Sequence, residues 1–91
     1  MARALDDYID DVLPGVIDRG PRGRFSTEDV RNAINDKHSL HLLPDDDGEI
    51  GRALHRRTDI RLWSFSARPG AALWAPGRVS RHTAQELPGR R

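Results

Sequence analysis

The chain has no cysteine, which excludes a disulfide framework, an iron–sulfur cluster, thiolate zinc ligation and a cysteine nucleophile. Cohesion must therefore come from packing. Aromatic residues are scarce: two Trp, two Phe and one Tyr are the largest side chains available to a core, so most are expected inside. No run approaches the ~18 apolar residues of a membrane span. The opening MARALDDYIDD puts carboxylates where a signal peptide needs an apolar stretch. A soluble, cytoplasmic chain without membrane association is expected. Lysine is nearly absent as well, Lys37 being the only one among fifteen basic residues.

What remains is a short, polar chain. Its 91 residues are enough for one domain, and a domain this small buries only roughly 60% of the surface its unfolded chain exposes. The core must be thin, with little surface left for a deep pocket. The net charge of +1 conceals two unlike halves. Residues 1–50 carry six Lys/Arg against twelve Asp/Glu, a balance of −6, and residues 51–91 carry nine Arg against Asp59 and Glu86, a balance of +7. A bipolar molecule with one face suited to a polyanion follows.

Hydrophobic spacing divides residues 1–76 into elements and leaves 77–91 as a basic, turn-rich tail, with a short helix after Ser80 conceivable. Leu5, Tyr8, Ile9, Val12, Leu13 and Val16 recur at three and four, the period of an amphipathic helix. Pro14 lacks an amide proton and crowds the preceding turn, so this helix is expected to stop near Leu13 or kink before a last turn through Ile17. After a Gly/Pro loop and an isolated Phe25, Ser26 can cap a second helix whose first turn holds Glu28 and Asp29. Val30, Ala33 and Ile34 form its apolar face, and it ends near Lys37. Leu40, Leu42 and Leu43 lie in the connection that follows and are expected to plug the core.

Asp45, Asp46 and Asp47 offer caps for a third helix from Asp46 to about Arg57, with Ile50, Ala53 and Leu54 inward. Its opposite face collects Gly48, Gly51, Arg52, His55 and Arg56. From Ile60 to Ser66 the period becomes 2, Arg68-Pro69-Gly70 makes a turn, and Ala71–Ala75 returns as a second strand. The fold class is mainly α with a small antiparallel β-hairpin of about six residues a side. Trp74 and one of Trp63 or Phe65 are expected in the core.

At Gly23-Arg-Phe-Ser-Thr-Glu-Asp-Val30, Ile50-Gly-Arg-Ala-Leu54 and Leu62-Trp63 to Leu73-Trp-Ala-Pro76, the chain resembles a winged helix-turn-helix domain over residues 4–76. The resemblance rests on element order and core spacing. It implies that the third helix enters the major groove of DNA and that the hairpin is a wing on the backbone or minor groove. Carried onto this sequence, it makes Arg52, His55 and Arg56 groove-facing, and Arg61 and Arg68 phosphate contacts. Guanidinium forks suit guanine O6/N7 and phosphate oxygens alike.

Other chemistry finds little support. His38, His41 and the aspartates at 45–47 lack the ligand spacing of a zinc or calcium site, so no metal is expected. Ser26 is used as a cap, no glycine-flanked serine or phosphate loop is present, and the chain does not read as an enzyme or as needing a cofactor. Two partner classes remain. One is duplex DNA, bound by a small regulator or an accessory factor of replication or of a mobile element. The other is a protein, met by the acidic face of the first helix or by an aromatic patch on the wing. The basic face of the third helix, with the basic wing and tail, favours the first class, and the carboxylates at the start of that helix and a pI of about 8.4 favour the second.

Overall fold

The computed structural model describes residues 4–77. The proposed tail, with the short helix after Ser80, lies outside them except for Gly77. Three helices and a three-stranded antiparallel sheet follow one another as α1 (Leu5–Arg19), β1 (Phe25–Ser26), α2 (Thr27–His38), α3 (Asp47–His55), β2 (Ile60–Ser64) and β3 (Leu73–Pro76). The sheet order is β1-β3-β2, so the last strand is the central one. The expected class, mainly α with a small antiparallel β part, is observed, with β1 added to the hairpin as a third strand.

α1 does not stop at Pro14. It runs unbroken to Arg19, because both Pro14 and Asp10 lie on its exposed face, where water can serve the carbonyl that proline leaves without a donor. Buried Val16 and half-buried Ile17 then hold the following turn to the core. The helix ends at Gly20, where a side chain is impossible: a Cβ there would lie 2.0 Å from the Arg24 carbonyl oxygen. A 3-10 turn over Pro21–Gly23 follows, and Arg24 leads from it into β1 at Phe25.

Ser26 caps α2 as expected. Its hydroxyl accepts from the Asp29 amide at 3.0 Å, and the Asp29 carboxylate accepts from the Ser26 amide at 2.9 Å, a reciprocal box that satisfies two otherwise orphaned donors. After α2 the long connection is clamped by Asn35. Its amide nitrogen donates to the Leu42 carbonyl at 3.0 Å and its oxygen accepts from the Leu42 amide at 2.9 Å. Leu40 and Leu42 pack partly against the core, whereas Leu43 is exposed.

α3 is shorter at both ends than the Asp46–Arg57 span read from the sequence. A 3-10 turn over Pro44–Asp46 precedes it, and Asp46 spends its carboxylate on the Leu43 amide, 2.8 Å away, instead of on an α3 amide. Asp47 is no solvent-facing cap either. It is 3% exposed.

The hairpin departs most from simple alternation. Ile60 pairs with Pro76, Arg61 with Ala75 and Leu62 with Trp74, but Ser64, not Trp63, is opposite Leu73. Trp63 is thus a bulge residue, and the alternation expected to reach Ser66 ends at Ser64. The second strand begins at Leu73 instead of Ala71, because Pro69–Ala71 forms a 3-10 turn. Neither Trp63 nor Phe65 enters the core. Phe25 and Trp74 fill that space with Ile9, Ile34, Leu54 and Ile60, which leaves Leu62, Trp63 and Phe65 exposed.

Candidate functional site

Ion pairing sorts the basic residues into two groups. The carboxylates of α1 neutralise the first: Asp6 meets Arg56 at 3.3 Å, Asp10 meets Arg57, and Asp11 meets Lys37 at 3.2 Å and His38 at 2.9 Å. Arg57 also pairs with Asp59 at 2.9 Å. The Arg57 pKa is raised, chiefly by its hydrogen bond to Asp59, and the same bond holds the Asp59 carboxyl below its usual value. Lys37 likewise holds Asp11 below its usual value.

The second group carries no ion pair among the described residues. Beside Arg19, Arg22, Arg24 and His41, it includes four residues that follow Gly51: Arg52 and the C-terminal His55 of α3, Arg61 on β2, and Arg68 on the connection between β2 and β3. All four are exposed. Four of the five residues singled out in the sequence therefore make no ion pair among the described residues, and Arg56 is the exception. The exposed Glu49 in the first turn of α3 and the exposed Asp45 just before the helix keep its start acidic, so the positive charge of this region sits in its second half and on the hairpin.

The hairpin connection is anchored against α3 by a buried pair. Arg31, on the inner face of α2, places its Nε 3.2 Å from Asp47 Oδ1, with both side chains under a tenth exposed. Neither of these two atoms has a well-directed hydrogen bond, so the contact is chiefly coulombic. Arg31 also bonds Glu28 at 3.0 Å. Burial pushes the Asp47 carboxyl up, more than Arg31 and Arg68 pull it down. Gly70 packs directly on this carboxylate: a Cβ at that position would lie 2.6 Å from Asp47 Oδ2 and 3.6 Å from Arg68 Nη1. Gly70→Ala is accordingly expected to move the connection, displacing Arg68, with resonances of residues 67–72 shifting in a heteronuclear NMR spectrum while those of α1 stay in place. The pair was not read from the sequence, although Thr27, Arg31 and Ile34 share the helical spacing of one face.

Between α3 and the hairpin lies a hollow of about 290 Å³. Gly48, Gly51 and Arg52 form its α3 wall, Leu62 and Phe65 its hairpin wall, and Trp74 part of its lining. Leu62 and Phe65 share this side because the bulge at Trp63 reverses the alternation between them. The bare α3 face expected from Gly48 and Gly51 is thus real, but hydrophobic side chains border it.

On the other sheet face, Trp63 carries Arg24 with its guanidinium carbon 3.9 Å from the ring centroid and Arg61 at 5.1 Å. Arg24 was not among the residues read as functional. Its only sequence signal is its place before buried Phe25, which puts it on the opposite face of β1. Of the two histidines considered for a metal, His38 is held by Asp11 and stacks edge-on to Tyr8 at 4.9 Å, and His41 is exposed. Among the described residues, no group of three or more His, Cys, Asp or Glu side chains is placed to hold a metal ion. No helix among them is long and apolar enough to cross a membrane.

In comparisons with known proteins, no family model, no curated protein and no solved structure matches the chain.

Proposed function

We propose that the chain is a winged helix-turn-helix protein that binds nucleic acid, most simply duplex DNA, without catalysing a reaction. The observation that carries this reading is the sorting of charge: α1 neutralises Arg56, Arg57 and Lys37, while Arg52, His55, Arg61 and Arg68 remain exposed and unpaired. Element order supports it, with α2 and α3 as the helix pair, β2 and β3 as the wing, and β1 closing the sheet. Arg52 and His55 would face bases, and Arg68 at the wing would meet phosphate. Arg56 has a lesser share, since binding would have to compete with Asp6.

Alanine at Arg52 is expected to weaken binding to a preferred duplex by about 1–3 kcal/mol and to relax the preference, whereas alanine at Arg68 should weaken every sequence alike. Competition titrations of each variant against preferred and scrambled duplexes read both effects. Equal losses on both duplexes for Arg52→Ala would count against base readout by α3.

The hollow supports a second reading, a winged-helix adaptor for a protein. Phe65 is 79% exposed, and beside Leu62, Gly48 and Gly51 it offers an apolar contact of the kind that marks protein interfaces. An unchanged duplex affinity in Phe65→Ser, together with loss of a captured protein, would favour it.

A further inference from the structure

Side chains alternate between the faces of a strand. Trp74 is paired with both Phe25 and Leu62, and with Phe25 buried beside it these residues mark the inner face. Arg24 and Arg61, one residue before Phe25 and Leu62, emerge on the outer face. Trp63, two residues after Arg61, emerges on the same side, where the Arg24 guanidinium covers its ring at 3.9 Å and that of Arg61 approaches at 5.1 Å. No carboxylate pairs with either arginine among the described residues. Two like charges are therefore gathered around one indole with no anion between them.

Such an arrangement has a physical cost that a ligand can remove. The guanidinium groups repel each other, and the ring offsets this through its negative face. Stacking also limits the freedom of two long side chains, so less entropy is lost when each accepts a partner. Arg61 is further confined by Gly77, whose absent Cβ would lie 3.2 Å from Arg61 Nε and whose amide is tied to the Asp59 carbonyl at 2.9 Å. The surface is open, with Arg61 and Trp63 exposed and Arg24 half-buried. It suits an extended polyanion passing over it.

The geometry points to a phosphate clamp in which Arg24 and Arg61, ordered by Trp63, hold the phosphodiester backbone of nucleic acid on the sheet face turned away from α3. This rests on the nucleic-acid reading and extends it to a second surface. The hairpin then presents arginine on both of its sides, Arg68 toward α3 and the Arg24–Trp63–Arg61 cluster on the other.

The test is a fluorescence anisotropy titration with two labelled probes, a mixed-sequence duplex of about 20 base pairs and a thymidine oligonucleotide of similar length, over a salt series. Arg24→Ala and Arg61→Ala are each expected to lower the slope of log K against log salt by about 1. Arg24→Lys keeps the charge and should restore the slope, which separates a lost phosphate contact from a damaged fold. Trp63→Ala removes no charge yet should weaken binding about two- to fivefold, and Trp63→Phe should recover most of that. Losses confined to the duplex assign the backbone to duplex DNA, and losses confined to the oligonucleotide assign it to a single strand. Unchanged slopes in both alanine variants, with Arg68→Ala still impaired, overturn the clamp and leave the nucleic-acid reading intact. No binding of the wild type to either probe at about 50 mM salt overturns both.

Discussion

Trp74→Ala is expected to remove most of the stability of the chain. Trp74 is 4% exposed on the central strand, opposite Phe25 on one side and Leu62 on the other. Truncating a buried aromatic of this size costs about 3–5 kcal/mol, against a total of about 5–15 kcal/mol for a typical domain. A second loss is added, because the indole Nε1 donates to Thr27 Oγ1 at 2.8 Å in a buried hydrogen bond. Thr27 stands at the start of α2, so this bond ties the helix to the sheet. Urea denaturation followed by circular dichroism measures the change. Thr27→Val separates the two contributions: the shape is kept, the buried N–H loses its acceptor, and a loss of about 1–3 kcal/mol is expected. Combining Thr27→Val with Trp74→Phe removes donor and acceptor together, and the pair should cost less than the sum of the single changes. Strict additivity would show that the bond does not couple α2 to the sheet.

Arg31→Met is expected to be nearly as damaging, for an electrostatic reason. Arg31 and Asp47 are both buried, with 3.2 Å between their nearest polar atoms. Removing one partner of a buried ion pair costs about 3–5 kcal/mol because the other charge is left uncompensated. Replacing both, as in Arg31→Met with Asp47→Leu, should recover most of that loss, since two buried apolar groups need no partner.

The pH dependence follows from Asp47. Burial raises its pKa in the folded chain above 3.8, so the folded state holds this proton more tightly than the unfolded state does. Its contribution to stability is greatest below the unfolded pKa and is lost as pH rises through the folded value. Without Arg31 the carboxyl rises further. The deficit of Arg31→Met, measured by urea denaturation, should therefore be smaller near about pH 4 than at neutral pH. A deficit that grows on acidification relative to wild type would contradict the assignment of the lost stability to an unpaired Asp47 carboxylate.

These two contacts also show where sequence reasoning stopped. The helices were legible because their apolar residues recur at three and four, and the Ser26 cap because Asp29 stands three residues on. The burial of Trp74 was legible because a small core needs its largest side chains. The stop allowed for at Pro14 did not occur, because its effect depends on whether the carbonyl it strands faces water, a tertiary fact. The bulge at Trp63 was hidden because alternation in one strand says nothing of the register of its partner, and it alone reverses which of Leu62, Trp63 and Phe65 share a side. Arg31 followed the apolar spacing of α2 but is charged, and its partner Asp47 lay in a run of three aspartates that capping explained equally well. Of the basic residues, Arg52, His55, Arg61 and Arg68 are exposed and unpaired, while Arg56 meets an acid from fifty positions earlier that no local pattern could disclose. Arg24 needed the third strand to bring it beside Trp63.

The central claim is that the unpaired arginines of α3 and the sheet form a surface that binds nucleic acid. The most direct measurement is the affinity of the wild-type chain for mixed-sequence duplex DNA at about 50 and 200 mM salt, beside the Arg52→Ala/Arg68→Ala double variant. The account predicts binding that weakens steeply between the two salt concentrations and a salt slope lower by about 1 in the double variant for each phosphate contact removed. Absence of binding at the lower salt, or binding that neither salt nor the double substitution changes, would contradict it.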